Sequence, residues 1–457
     1  MPAQLDQAEL ERRLISELSL VQSASATELC RALGISQPTF ARLVKRIESR
    51  LLIVGRARAT RYAARRSVPD LEGQLPIYEI DAQARASQVA LLHPVLPGGF
   101  YVEALSADVD SAFHKDLPYW LNELRPSGFL GRLVPMQHPE LELPSDVRNW
   151  SADQTLRYLA NYGWNLSGSL IIGDAAFQRY VSLAGQPQNV VPVRARKQRY
   201  PTLSADVLGA GAPGSSAGGE QPKFLATKIP PGSSVLVKFS PPRTSTLGRR
   251  MADLLAAEHL ALQVLSDHGK SASKSELVEA EEQTFLEVER FDRTPSGGRS
   301  GVLSLLALDA EFVGRMLSWT DSVARLVQQG VVPQLLVTDV AWLELFGRLI
   351  ANTDMHGGNL SFRMRGSRVV ALAPAYDMLP AQYAGQQGHL GQVVFRPPAP
   401  TPALASVWEP ASRAAIDFWQ RLTKHDLVSA AFRRIATQNA KQVESFRTAA
   451  RLLPAAR

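Results

Sequence analysis

Leu349-Ile350-Ala351-Asn352-Thr353-Asp354-Met355-His356-Gly357-Gly358-Asn359-Leu360 is the stretch from which the fold can be read, with Ala375-Tyr376-Asp377 a short distance downstream. An apolar run over 342–350 leads into a tight polar cluster, and apolar residues return at Leu360 and Phe362. That layout predicts a helix, an exposed loop and a strand. The loop can present Asp354 and Asn359 to one place. A second predicted strand, 369–372, can bring Asp377 to the same place. One Asp beside a hydroxyl can orient it or take its proton, while an Asn and another Asp can hold a divalent metal on phosphate oxygens. Phosphoryl transfer needs that division of labour. Taken alone, the same residues also fit turn caps with a surface or packed His356.

Working outward, 457 residues with 45% hydrophobic content are enough for two or three domains with sizeable cores. A formal charge of +7 and a pI near 9.5 favour a polyanionic partner. The single cysteine, Cys30, excludes an intrachain disulfide framework and any multi-cysteine metal site, which suits a reducing cytosol. No stretch approaches 18 apolar residues and no leader pattern opens the chain, so the expectation is a cytoplasmic protein without a membrane segment.

Residues 1–66 predict three helices and a hairpin. Leu5, Leu10, Leu14, Ile15 and Leu18 recur at helical spacing; Ser25 with Glu28 makes a capping box; Gly34 turns the chain; Ser36 caps a third helix with Phe40, Leu43, Val44 and Ile47 inward. Runs at 51–54 and 59–63 flank Gly55 as a wing. The order resembles a winged helix-turn-helix DNA-binding domain. Ser36, Gln37, Thr39, Arg42 and Arg46 would face the major groove, with Arg56, Arg58 and Arg61 at phosphate or the minor groove. The alternative is a winged domain used only for protein contacts. Cys30 is expected in the core.

Residues 67–76 read as a linker, and an α+β lobe follows over 77–300. Within it, 128–132 reads as the close of a helical piece, and the basic run 194–199, which could touch nucleic acid or phosphate, reads first as solvated surface. Small residues at 215–219, including Ser215, Ser216, Gly218 and Gly219, precede a strand, a weak phosphate-binding signal that lacks the Walker ending. Lys238 lies inside an apolar strand, where its ammonium needs solvent or an anion, and a nucleotide phosphate is such an anion. Glu258, in the apolar helix 254–265, is the candidate to hold it. A hinge-like strand over 284–293 and a mainly helical region, 301–457, complete the order of parts of a two-lobed kinase.

Four stretches, 216–224, 288–293, 352–359 and 375–377, together resemble the HipA family, bacterial serine/threonine kinases known mainly as toxins of toxin-antitoxin pairs. The added N-terminal domain resembles the YjjJ-type branch, which occurs without a neighbouring antitoxin. The resemblance implies an α+β, two-lobed kinase-like fold using ATP and Mg²⁺. It implies Asp354 as base or orienter, His356 as a positioning group, and Asn359 and Asp377 as Mg²⁺ ligands. Lys238 would meet nucleotide phosphates, Glu289 and Phe291 the adenine through their backbones, and Ser215 or Ser216 would be an autophosphorylation site. A separate antitoxin is not required, the acceptor would be a protein of unidentified sequence, and a palindromic DNA site would favour a homodimer. Two further readings stand beside this one: a DNA-binding regulator whose kinase-like body is an inactive sensor, and a kinase for a small hydroxylated metabolite.

Overall fold

A computed structural model of the chain describes residues 7–183, 189–209, 221–385, 391, 393–401 and 404–450. Ser215, Ser216, Gly218 and Gly219 lie outside the described residues. The fold is α+β and is built around several separate cores.

The first unit has helices Gln7–Val21, Ala26–Leu33 and Gln37–Arg46, followed by the hairpin Leu51–Val54 and Arg61–Ala64. The pair Ala24–Ser25 adds a third antiparallel strand. The local signals act as read. Ser25 Oγ accepts from the Glu28 amide while Glu28 accepts from the Ser25 amide at 2.7 Å, and Gly34 turns at φ +67°. Leu14, Leu18, Leu29, Leu33, Phe40, Leu43 and Ile47 close one core. Cys30 packs on it, and burial pushes its thiol up, so it is a packing residue.

Two arginines fasten this unit to the next. Arg66 forks onto Asp153 at 2.7 and 2.8 Å, donates to the carbonyls of Val95 and Gly98, and lies over the Phe100 ring. Arg65 spans the Leu51 carbonyl and His93. Within the span read as a linker, Val68 is buried and Leu71 packs on the same core as Val68.

The second unit is a five-stranded antiparallel sheet in the order Ala112–His114, Gly99–Ala104, Ala86–Val95, Leu75–Ile80, Leu170–Ile172. The helices Gly128–Gln137 and Ala152–Tyr162 contribute Val134, Leu156 and Leu159 to its core. Here the structure differs from the sequence reading, because residues 128–132 open a helix rather than close one. Gly128 takes φ +64° just after Ser127, and a Cβ on Gly131 would sit 2.7 Å from the Pro126 carbonyl carbon. Both glycines serve the turn into the helix.

The third unit is a mixed sheet in the order Ser275–Ala280, Gln283–Glu289, Ser233–Phe239, Lys223–Ile229, Val190–Pro192. The long helix Thr246–Asp267 and the helix Arg196–Gly209 both pack against this sheet. The basic run is not wholly solvated. Arg196 bonds buried Glu287 at 3.0 Å, Tyr200 donates to the same carboxylate at 2.7 Å, and Lys228 reaches it at 2.6 Å. Arg194, Lys197 and Arg199 stay exposed.

The last unit joins the three-stranded sheet Gly301–Ser304, Ser361–Arg365, Arg368–Leu372 to five helices. They are Leu305–Phe312, Trp319–Gln328, Leu336–Leu349, Ala405–Lys424 and Ala430–Ala450. The largest core lies here and takes in Leu254, Ala257 and Ala261 of the helix Thr246–Asp267. That helix is the shared wall between the third sheet and the helical unit.

Candidate active site

The site is built where the helix Leu336–Leu349 ends. Its apolar face is buried through Val340, Leu343, Phe346 and Leu349, so the following loop must emerge at a fixed point. The chain turns at Ala351, φ +62°, presents residues 352–359 and enters the strand Ser361–Arg365. Helix, loop and strand are as read from the sequence. Indole N–H groups hold the helix end and the loop: Trp419 donates to the Leu349 carbonyl at 3.0 Å and Trp319 to the His356 carbonyl at 3.1 Å. Gly357 sits against the helix Leu305–Phe312, where an added Cβ would lie 2.9 Å from the Leu306 nitrogen.

Within the loop, the Asp354 side chain is 63% exposed and His356 lies 3.8 Å from it. The Gly358 amide donates to His356 Nδ1 at 3.0 Å. Asn359 is buried, and its amide nitrogen donates to the Asp354 carbonyl at 2.7 Å, which leaves its side-chain oxygen for another partner.

Lys238 and Glu258 meet as read from the sequence. The lysine comes from the strand Ser233–Phe239 and the glutamate from the helix Thr246–Asp267, with Nζ 2.7 and 2.8 Å from the two carboxylate oxygens. Both are buried, at 4% and 1% exposure. Lys238 also contacts Asp377, so one ammonium serves two carboxylates. Burial opposes the lysine's charge, but Asp377 and Glu258 outweigh it and hold Lys238 above its ordinary range. Burial likewise opposes ionisation of Asp377, and Lys238, with Lys223, holds the carboxyl below its ordinary value. Burial pushes the Glu258 carboxyl up against the pull of Lys238. Asp377 takes a left-handed backbone, φ +54°, which Asp tolerates better than most residues.

Sequence reasoning passed over several residues here. Asn352 and Tyr376 tie the two loops together: Asn352 donates to the Asp377 carbonyl at 3.3 Å, and the Tyr376 hydroxyl donates to the Gly358 carbonyl at 2.6 Å. Both stood in the quoted motifs, but only the fold shows the bonds. Lys223 stands opposite Lys238 on the adjacent strand and helps hold the Asp377 carboxyl down, while at Glu258 its pull is outweighed by burial. The second unit supplies Glu123, which accepts from Ser304 Oγ at 2.6 Å, while Ser304 caps the helix that supports Gly357. Burial raises Glu123 to about 7.

At the hinge-like strand, the Glu289 amide donates to the Lys274 carbonyl at 2.8 Å, and the Phe291 carbonyl accepts from Arg363. The Phe291 ring lies 5.9 Å from that of Tyr376. In the N-terminal unit, Ser36, Gln37, Arg42, Arg46, Arg56, Arg58 and Arg61 are exposed and Thr39 is half-buried. Some of these groups have protein partners. The hydroxyls of Ser36 and Thr39 bond each other at 2.9 Å, Arg46 lies 3.6 Å from Glu11, and Arg61 donates to Ser23 Oγ and the Ser23 carbonyl.

Residues 71–181 match the sequence family described as YjjJ-like toxin, middle domain, and residues 215–447 match the HipA-like C-terminal domain. The chain is 38% identical over 436 residues to the toxin YjjJ of Escherichia coli K12, covering 94% of this chain and 97% of that protein. The HipA, HipB and operator DNA complex of Shewanella oneidensis contains a chain of similar fold. The TM-score is 0.51 at 15% identity, over 82% of this chain and all of that one. That likeness matches the α+β, multi-domain architecture to a HipA-like fold. No helix among the described residues is long and apolar enough to cross a membrane. On these matches the chain belongs to the HipA-like toxins, in the YjjJ-like branch.

Proposed function

We propose that the protein transfers the γ-phosphoryl group of ATP, with Mg²⁺, to a serine or threonine hydroxyl of another protein. Its N-terminal unit is a winged helix-turn-helix that binds DNA and gives the chain a means of autoregulation. The observation that carries the kinase reading is Lys238, buried between Glu258 and Asp377, with the Asp377 loop tied to the loop of Asp354 and Asn359.

The residues fit a magnesium-nucleotide. Asp377 is held ionised beside Lys238, and Asn359 has an oxygen left after its bond to Asp354. Among the described residues no group of three or more His, Cys, Asp or Glu could cage a metal. Two hard oxygen donors are what an ion shared with phosphates requires. Bound there, Mg²⁺ would neutralise charge on the transferring phosphoryl. Lys238, fixed by Glu258, supplies a second positive charge that needs no reorganisation. Asp354 is exposed, as an acceptor's partner must be, and takes or orients the hydroxyl proton while His356 helps position it. The Glu289 amide is taken by the Lys274 carbonyl and the Phe291 carbonyl by Arg363, so the adenine falls to the Glu289 carbonyl and the Phe291 amide.

For DNA, Gln37, Arg42 and Arg46 on the helix Gln37–Arg46 face the groove, with Arg56 and Arg58 on the hairpin turn. Arg61, which holds Ser23, serves the wing's shape as much as any phosphate. Incubating the purified protein with ATP and Mg²⁺, alone and with cell extract, then mapping phosphopeptides, tests the kinase reading. Phosphoserine or phosphothreonine should appear on the protein or on an extract protein. Its absence, with selective DNA binding intact, would favour a regulator with an inactive body.

A further inference from the structure

We propose that Asn352 is a positioning residue whose one side-chain amide sets the metal-binding loop against the loop of the proposed base. The inference rests on the kinase reading above and assigns a residue that the proposed roles leave out.

Asn352 is 5% exposed and is bonded to three elements at once. Its backbone amide donates to the Gly347 carbonyl at 2.9 Å, at the end of the helix Leu336–Leu349. Its side-chain oxygen accepts from the Asp354 amide at 3.0 Å, and its side-chain nitrogen donates to the Asp377 carbonyl at 3.3 Å. The residue thus needs an acceptor and a donor on one rigid plane, which only a carboxamide supplies at this length. An Asp would lack the donor, and a Leu would leave both backbone groups without partners. The bonds also set the amide's orientation, because turning it over would face N–H against N–H and oxygen against oxygen. The neighbouring backbone gives the tie its purpose. Ala351 and Asp377 both occupy the left-handed region, at φ +62° and +54°, so each loop turns sharply beside the bond that holds it. Asn359 and Tyr376 brace the other end, through the carbonyls of Asp354 and Gly358. Asn352 touches no reacting atom in this scheme; it fixes where Asp354 and Asp377 stand.

The test uses the full-length protein with Asn352→Ala, which loses both side-chain bonds, and Asn352→Asp, which keeps only the acceptor for the Asp354 amide. The rate of γ-phosphate transfer is measured against Mg²⁺ concentration. Binding of a non-hydrolysable ATP analogue is measured by calorimetry with and without Mg²⁺, and melting temperature is recorded. The alanine variant should lose about 10- to 100-fold in kcat, as for a misplaced catalytic group. It should need several-fold more Mg²⁺ for half-maximal analogue binding and bind the analogue normally without Mg²⁺. The aspartate variant should recover part of kcat at saturating Mg²⁺, and it carries the comparison should the alanine variant not fold. A lower melting temperature with unchanged Mg²⁺ dependence would make Asn352 merely structural and overturn the proposal, as would wild-type behaviour in both variants. Wild-type protein that transfers no phosphate would refute the kinase reading separately, and the Mg²⁺ dependence of analogue binding would still decide the tie.

Discussion

Replacing Glu123 by Gln should change how stability depends on pH, by an amount the structure allows to be worked out. Glu123 lies in the second unit and accepts from Ser304 Oγ at 2.6 Å, at the start of the helix that supports Gly357. Burial raises its carboxyl from 4.5 to about 7. Between those values the folded protein holds a proton that the unfolded chain has released, so stability falls as pH rises through this window and levels off above it. Linkage puts the loss between pH 5 and pH 8 at roughly 2.5 kcal/mol. Glutamine keeps an oxygen for Ser304 and cannot ionise. Urea denaturation of wild type and Glu123→Gln at both pH values gives the comparison. The variant should gain on the wild type by most of that amount at pH 8 and little at pH 5. A stability difference independent of pH would refute the reasoning, because it would mean that the carboxyl ionises as freely in the fold as outside it.

Other outcomes follow from the same contacts. Lys238→Met takes from Glu258 and Asp377 the ammonium they share, so it should cost about 3–5 kcal/mol in denaturant titrations and abolish phosphate transfer. Tyr376→Phe removes the hydroxyl that donates to the Gly358 carbonyl, and should cost about 1 kcal/mol of stability and slow transfer without weakening nucleotide binding. Arg42→Ala and Arg56→Ala, both at exposed positions, should each weaken DNA binding and reduce the slope of log affinity against log salt by about one. Fluorescence anisotropy over a salt series measures that slope.

The parts of the site that were legible in the sequence are those whose signal is local. Asp354 and Asn359 stood out because polar residues interrupted an apolar helix and strand, and Lys238 because a charge interrupted an apolar strand. Glu258 was legible as an acid on a helix whose neighbours are apolar. The capping box at Ser25 and the turn at Gly34 likewise needed only adjacent residues. What could not be read depends on pairing at a distance. Arg196 meets Glu287 across 91 positions, so a basic run reads as solvated, and Val68 and Leu71 of the span read as a linker pack on a core formed by residues far along the chain. Asn352 was visible as a letter of the motif, but its bond to Asp377 exists only once the two loops are folded together. Residues 128–132 misled because glycine permits a helix start as readily as a stop.

The most direct test of the central claim is transfer of labelled γ-phosphate from ATP with Mg²⁺, comparing wild type with Asp354→Ala and Asp377→Ala, both checked for folding. Wild type should label itself or an extract protein, and each substitution should abolish the label. Label that survives Asp354→Ala and Asp377→Ala undiminished would contradict the roles given to these two residues and with them the proposed mechanism.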